Sequence, residues 1–344
     1  MRMFITGVNG TLGRVLLEEL RTRGHEVYGC DLHHSEDPGI FRADISEFRQ
    51  INREIGAVHP EVVYHLAAEF GRLNGENYYE QLWKTNCLGT RNVIEACINN
   101  EAKIIFASSS EAYGAADEYA PAESESYQEG WLDEFAPDFH NEYALTKWTN
   151  ERQIRIAARH RGLQAMILRF FNAYGPGEHY SPYRSVVCLF CYRLIHGLPI
   201  TIYKNYSRVF MWVGDWAKTV ANAAEKFVTN PEKVPVFNIG GEEYLSVEEL
   251  KNKIVTILGE HNVSSTITYL EAEKANVVSK RPSNLLAQTY FSHRPTVTLD
   301  QGLPITIDWM KEVYRKSIEP LRKEALGVAR APILIGKSAA STGG

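Results

Sequence analysis

Apolar positions fall into two kinds of run along the chain. Short, nearly unbroken runs at residues 2–6, 26–30, 61–66, 103–107, 164–170 and 234–239 read as strands. Unbroken apolarity without alternation is what a strand needs when helices cover both of its faces. Between these runs lie longer stretches with a helical repeat, at 14–23, 78–99, 141–160, 185–196 and 299–314, and the first-mentioned of the long ones, 78–99, counts Trp83, Leu88, Val93 and Ile94 among its apolar positions. Further strands are expected at 199–203 and 207–213, with Asp215 as the N-cap of a following helix, and Ser246-Val247-Glu248-Glu249 reads as a capping box. Strand and helix alternate from residue 2 onward, which predicts an α/β fold built on a doubly wound parallel sheet.

The loops between these elements carry the chemistry. Gly7, Gly10 and Gly13 follow the first strand and open a helix. Such a loop lets the backbone turn tightly and approach a pyrophosphate at the helix N-terminus, with Asn9, Thr11 and Leu12 completing the contact surface. Three spaced glycines also make an ordinary tight turn; the strand before and the helix after favour the dinucleotide. Asp31 ends the second strand, 18 residues after Gly13, where a carboxylate suits a ribose 2′-hydroxyl and repels a 2′-phosphate, so NAD is the expected cofactor. Asp44 and Ile45 are expected beside the adenine. Leu66, Ala67 and Ala68 leave the next strand, and the small residues let the dinucleotide pass close to the backbone.

Ser108-Ser109-Ser110-Glu111 leaves the strand at 103–107, at the sheet edge where open α/β folds bind ligands. Tyr143 and Lys147 are four apart and share one helix face. A phenol has an ordinary pKa of about 10 and is a poor base at neutral pH; a cation one turn away favours its ionised form. Between these two features, residues 115–141 hold eight Asp and Glu and no Lys or Arg, with Trp131 and Phe135 as apolar anchors. This excursion is expected to be either a lid or a solvated surface loop.

Bulk properties narrow the partners. With 344 residues, two lobes are expected. A net charge of −5 and no basic block exclude a nucleic-acid partner. The most apolar stretch, 186–200, is broken by Arg193 and His196 and is too short for a membrane span. A strand starts directly after Met1, so no signal peptide is expected. Five cysteines suggest neither a disulfide framework nor a metal site, since Cys188 and Cys191 have no second pair. A cytoplasmic enzyme is the expectation.

With the glycine loop, Asp31, the serine strand end and Tyr143-x-x-x-Lys147 in order, residues 1–315 resemble the extended short-chain dehydrogenase/reductase family, and within it the NAD-dependent nucleotide-sugar epimerase/dehydratase branch. The resemblance implies a Rossmann-like NAD domain at 1–172 that also receives 206–242, a smaller substrate lobe from 173–205 and 243–318, and a tail at 319–344. It implies a homodimer through the helices at 78–99 and 141–160. It implies that the sugar C4 hydroxyl is oxidised first, with Tyr143 as the base, Lys147 lowering the Tyr143 pKa and holding the nicotinamide ribose, and Ser109 hydrogen-bonding the hydroxyl. Ser110 joins the substrate contacts. Arg208 and Arg281 match positions that clamp a nucleoside diphosphate, and Asn172 one whose amide contacts it.

Glu111 marks a fork. Simple C4 epimerases similar to this chain usually hold Ser or Thr there, whereas 4,6-dehydratases and nucleotide-glucuronate decarboxylases usually hold Glu. As a base at C5, Glu111 points to 4,6-dehydration, ahead of epimerisation, decarboxylation, net 4-dehydrogenation and a non-catalytic NAD sensor. The chain departs from the familiar pattern at residues 69–75, expected to line the pocket floor, and at His179 and Tyr180.

Overall fold

The computed structural model describes residues 1–116, 126–134, 137–271 and 277–315. Seven strands form one parallel sheet in the order Val236–Ile239, Ala165–Phe170, Lys103–Ser109, Val62–His65, Arg2–Thr6, Glu26–Asp31 and Ile40–Arg42. The central strands are apolar on both faces because both faces are covered: Met3, Phe4, Ile5, Val62 and Val63 have no exposed surface. The helix Thr11–Thr22 packs against Val213–Glu225 over one face, and Phe48–Val58 against Thr90–Asn99 over the other. Strand order reverses between Arg2–Thr6 and Val62–His65, which opens a crevice beyond their carboxyl ends.

The helix Glu142–Arg161 crosses the second face and brings its first turn to that crevice. Its start is fixed by Asn141, whose side chain accepts a hydrogen bond from the Ala144 N–H at 2.8 Å. Its end is fixed by Gly162, which takes the left-handed conformation at φ +73°. A second, smaller sheet has the order Glu243–Ser246, Ser207–Trp212, Ser279–Lys280, with Ala173–Tyr174 also pairing to Ser207–Trp212. The helices Val186–Ile195, Val247–Leu258 and Leu299–Tyr314 build a separate apolar cluster around it.

The structure differs from the sequence reading in four places. Residues 78–99 are not one α-helix: Tyr79–Trp83 and Thr90–Asn99 flank a π-helical turn, Lys84–Gly89. The wider turn turns Asn86 inward, where its amide accepts from the Glu69 N–H and donates to the Glu69 carbonyl and the Thr146 hydroxyl. Leu88, expected among the apolar positions of that helix, is 49% exposed. Asp215 does not cap a helix from outside. It lies in the first turn of Val213–Glu225 and its buried carboxylate accepts from the backbone N–H groups of Thr296 and Val297. Within 206–242, the strand Ser207–Trp212 stands in the smaller sheet, while Val236–Ile239 extends the large one.

Among the described residues no helix is long and apolar enough to cross a membrane, and no group of three or more His, Cys, Asp or Glu side chains is arranged to hold a metal ion. All five cysteines are free. Part of the acidic excursion (117–125, 135–136) and the tail at 319–344 lie outside the described residues.

Candidate active site

A cavity of about 520 Å³ occupies the crevice. Gly7, Asn9, Gly10, Thr11, Leu12, Gly13, Asp31, Asp44, Ile45, Leu66, Ala67 and Ala68 line it, and so do Ser109, Tyr143 and Lys147. The backbone is close-packed in a way that only glycine permits. Gly7 holds φ +72°, and a Cβ there would stand 2.8 Å from the Ala67 backbone; a Cβ on Gly13 would stand 2.4 Å from the Gly7 carbonyl oxygen. Asp31 is held at the strand end, accepting from the N–H groups of Asn9 at 3.0 Å and His33 at 3.2 Å. A glycine-walled groove at a helix N-terminus, closed by a carboxylate, fits a dinucleotide.

Tyr143 and Lys147 stand one turn apart at the start of their helix. The Lys147 ammonium donates to the Ala107 carbonyl at 2.8 Å and lies 5.8 Å from the centre of the Tyr143 ring. Burial pushes Lys147 down to about 8, with the Glu151 carboxylate opposing. Burial likewise raises the Tyr143 phenol above its ordinary value; the Ser109 hydroxyl opposes this and the Glu111 charge adds to it. Ser109 also accepts from the Glu111 N–H, which starts a 3-10 turn, Ser110–Tyr113.

Glu111 forms an ion pair with Lys280, which is buried in the strand Ser279–Lys280. Burial favours the neutral carboxyl, yet the Lys280 charge and hydrogen bond, the Arg208 charge and the Asn141 amide outweigh it and hold Glu111 below the usual carboxylate range. Lys280 is in turn lowered by burial and by Arg208, against the pull of Glu111.

The remaining substrate candidates are more dispersed. Ser110 is buried. The Asn172 amide donates to the Val209 carbonyl at 3.1 Å. Arg208 is buried and donates to the carbonyls of Ser207, Val277 and Val278. Arg281 is exposed and lies 5.7 Å from the centre of the Tyr244 ring. Ser110, Glu111, Asn172, Arg208 and Arg281 are not among the residues lining the cavity.

Three features escaped the sequence reading. Lys280, next to Arg281, was given no role. A buried network stands behind Ser109: Glu151 accepts from the Ser108 hydroxyl at 2.6 Å and from two nitrogens of Arg169, and both charged residues are fully buried. Arg169 further stacks 4.6 Å from the Tyr113 ring centre and donates to the Glu129 carbonyl. This network joins the serine strand to the tyrosine helix. The third feature is the pair Glu178 and Arg184, which also line the cavity. The middle of the acidic excursion docks on the Lys280 segment, with the Tyr127 N–H donating to the Arg281 carbonyl and its hydroxyl to the Ser279 carbonyl.

Comparison with known proteins gives a consistent picture. Residues 3–240 match the NAD dependent epimerase/dehydratase family. The chain is 29% identical over 330 residues to a UDP-N-acetyl-alpha-D-glucosaminuronate decarboxylase of Bacillus cytotoxicus, covering 91% of this chain and 98% of that protein. Among solved structures, the Thermus thermophilus UDP-glucose 4-epimerase in complex with NAD is similar with a TM-score of 0.78 at 25% identity, covering 92% of this chain and all of that one. MoeE5 in complex with UDP-glucuronic acid and NAD is similar with a TM-score of 0.77 at 25% identity, covering 91% and 100%. The cofactor is NAD, as the glycine-walled groove requires, and the chain belongs to the NAD dependent epimerase/dehydratase family.

Proposed function

We propose that this enzyme acts on a UDP-activated hexuronic acid and removes its C6 carboxylate after transient oxidation at C4. The observation that carries this reading is the ion pair between Lys280 and Glu111 beside Ser109 and Tyr143. In the proposed roles, Tyr143 takes the proton of the C4 hydroxyl, Ser109 hydrogen-bonds the same oxygen, and Lys147 sets the charge around both. Bound NAD would supply the acceptor for the C4 hydrogen and would return it to C4 after carbon dioxide has left, the C4 oxygen regaining the proton held on Tyr143. The 4-ketone makes the uronic acid a β-keto acid. The C5–C6 bond then breaks with its electron pair delocalised onto the C4 oxygen, carbon dioxide leaves, and C5 needs a proton. Lys280, a buried ammonium, is the donor in this reading, with Glu111 holding it charged.

Dehydration, the reading that Glu111 alone favours, makes different demands. It needs a base at C5, and a carboxylate held below its usual range by Lys280 and Arg208 is a weak one. Epimerisation at C4 of the same uronate is the second reading. MoeE5, crystallised with UDP-glucuronic acid, supports the substrate class for both.

Mass spectrometry of the products from UDP-glucuronate and UDP-glucose in deuterated water tests this. Loss of carbon dioxide with one deuterium gained at C5 is the expected result. Unchanged mass with an inverted C4 supports epimerisation, and loss of water overturns both readings in favour of dehydration.

We infer further that the chain forms a homodimer through the faces bearing Leu88 and Ile156, which are 49% and 56% exposed on two neighbouring helical segments. Sedimentation of Leu88→Asp and Ile156→Asp variants tests it: a monomer is expected, and an unchanged dimer rejects these faces.

A further inference from the structure

Arg184 is a cation of the cavity that no role above uses. Its guanidinium lies 4.2 Å from the centre of the Phe70 ring, and both residues line the cavity together with Ser109, Tyr143 and Lys147. Its Nε is buried and has no hydrogen-bond partner. The adjacent carboxylate, Glu178, is turned to Ser185, accepting from its N–H at 3.0 Å and its hydroxyl at 2.7 Å, and burial raises the Glu178 pKa. The Arg184 charge opposes that rise, but both hydrogen bonds of Glu178 go to Ser185.

The local sequence builds this arrangement. Gly71 holds φ +88°, and a Cβ there would stand 3.0 Å from the Tyr183 carbonyl oxygen, so only glycine lets the two segments meet this closely. Asn77 bonds the Tyr183 hydroxyl and Tyr78 packs edge-on to the same ring. The contact brings Phe70 beneath Arg184 from the opposite wall of the cleft. The same segment passes the start of the tyrosine helix, where a Cβ on Gly75 would stand 3.7 Å from the Tyr143 nitrogen. The pair thus belongs to the Tyr143 end of the cavity, while the glycine loop provides for the dinucleotide pyrophosphate.

We propose that Arg184, braced on Phe70, is a substrate-binding residue that grips an anionic group of the sugar nucleotide, a phosphate or a uronate carboxylate presenting two oxygens to the planar guanidinium. The proposal rests on the reading that this cavity takes a sugar nucleotide. Its test is calorimetric binding of UDP, UDP-glucose and UDP-glucuronate to the NAD-loaded enzyme and to its Arg184→Gln, Arg184→Lys and Phe70→Leu variants, with thermal unfolding as the check that each is folded.

Arg184→Gln is expected to weaken binding roughly 10- to 100-fold, with Arg184→Lys and Phe70→Leu weakened less. Loss confined to UDP-glucuronate identifies the carboxylate as the partner; equal loss for all three identifies the diphosphate. Unchanged affinity in Arg184→Gln, or loss of NAD alone, overturns the proposal while leaving the sugar-nucleotide reading intact. A wild-type enzyme that binds none of the three overturns that reading and the proposal with it.

Discussion

Lys280 and Glu111 are 169 residues apart in sequence and form an ion pair beside the catalytic tyrosine candidate, with Lys280 buried and Glu111 partly exposed. The pair joins the two sheets of the molecule: Glu111 leaves the end of a strand of the large one, and Lys280 lies in the small one. Each partner favours the charged form of the other. Replacing Glu111 by Gln removes the anion that keeps Lys280 protonated, so the Lys280 pKa falls further. If Lys280 gives its proton to C5, the alkaline limb of kcat/KM moves to lower pH in Glu111→Gln. Lys280→Met removes the donor and lowers kcat by about 10²- to 10⁴-fold. A pH–rate profile with an unmoved alkaline limb in Glu111→Gln rejects this role for Lys280.

Arg169 and Glu151 form a fully buried pair behind Ser109. Arg169→Met leaves a carboxylate in the core with, among the described residues, the Ser108 hydroxyl as its one remaining hydrogen bond and the Arg155 charge nearby. A buried pair broken on one side costs about 3–5 kcal/mol. Urea unfolding of Arg169→Met should show a loss of that size, whereas a change below about 1 kcal/mol contradicts the packing described.

Gly13 tests the dinucleotide groove. Replacing glycine by alanine inside a helix ordinarily stabilises by about 1 kcal/mol. Here the added methyl meets the Gly7 carbonyl oxygen and the Val8 backbone, which are not the ends of flexible side chains. Gly13→Ala should therefore lower the melting temperature and strip NAD from the purified enzyme, as read by its absorbance and by fluorescence titration. Retention of NAD at wild-type occupancy contradicts the placement.

His65 gives the protein an acid-sensitive core. It is buried between the hydroxyls of Thr6 and Thr90, and burial, with a smaller contribution from Lys147, lowers its pKa to about 3. The unfolded chain titrates His65 near 6.5 and so binds the proton more tightly than the folded one. Stability is therefore fully present above about pH 6.5 and is lost as the pH falls from there toward 3. At pH 5 the loss amounts to about 2 kcal/mol. His65→Gln should be less stable at neutral pH and show a flatter acid limb in urea unfolding between pH 7 and 5. An equally steep limb in the variant assigns the acid sensitivity to other groups.

What could be read from the sequence was local. The glycine loop, Asp31 and the small residues Ala67 and Ala68 sit at strand ends that apolar runs mark out, and Tyr143 and Lys147 are related by one helical turn. These residues meet in the cavity because the parallel sheet brings its strand ends to one edge. The rest depends on contacts between distant segments. A buried Arg169 or Lys280 has the same letter as a surface one, and only the fold pairs them with Glu151 and Glu111. The π-turn at Lys84–Gly89 leaves the surrounding apolar repeat almost unchanged, so 78–99 reads as a single helix. Asp215 has the composition of a cap, and its real partners, Thr296 and Val297, are some 80 residues away. For Arg208 the family resemblance implied a diphosphate clamp, whereas its bonds to three backbone carbonyls follow from the small sheet and could not be read from the sequence.

The central claim is oxidation at C4 followed by loss of the C6 carboxylate. The most direct measurement is turnover of UDP-glucuronate carrying deuterium at C4, with the label located in the product by NMR and the rate compared with unlabelled substrate. The account predicts a UDP-pentose with deuterium still on C4 and a primary isotope effect on single turnover. Deuterium on an inverted C4 of a six-carbon uronate, or decarboxylation with no isotope effect under single-turnover conditions, contradicts it.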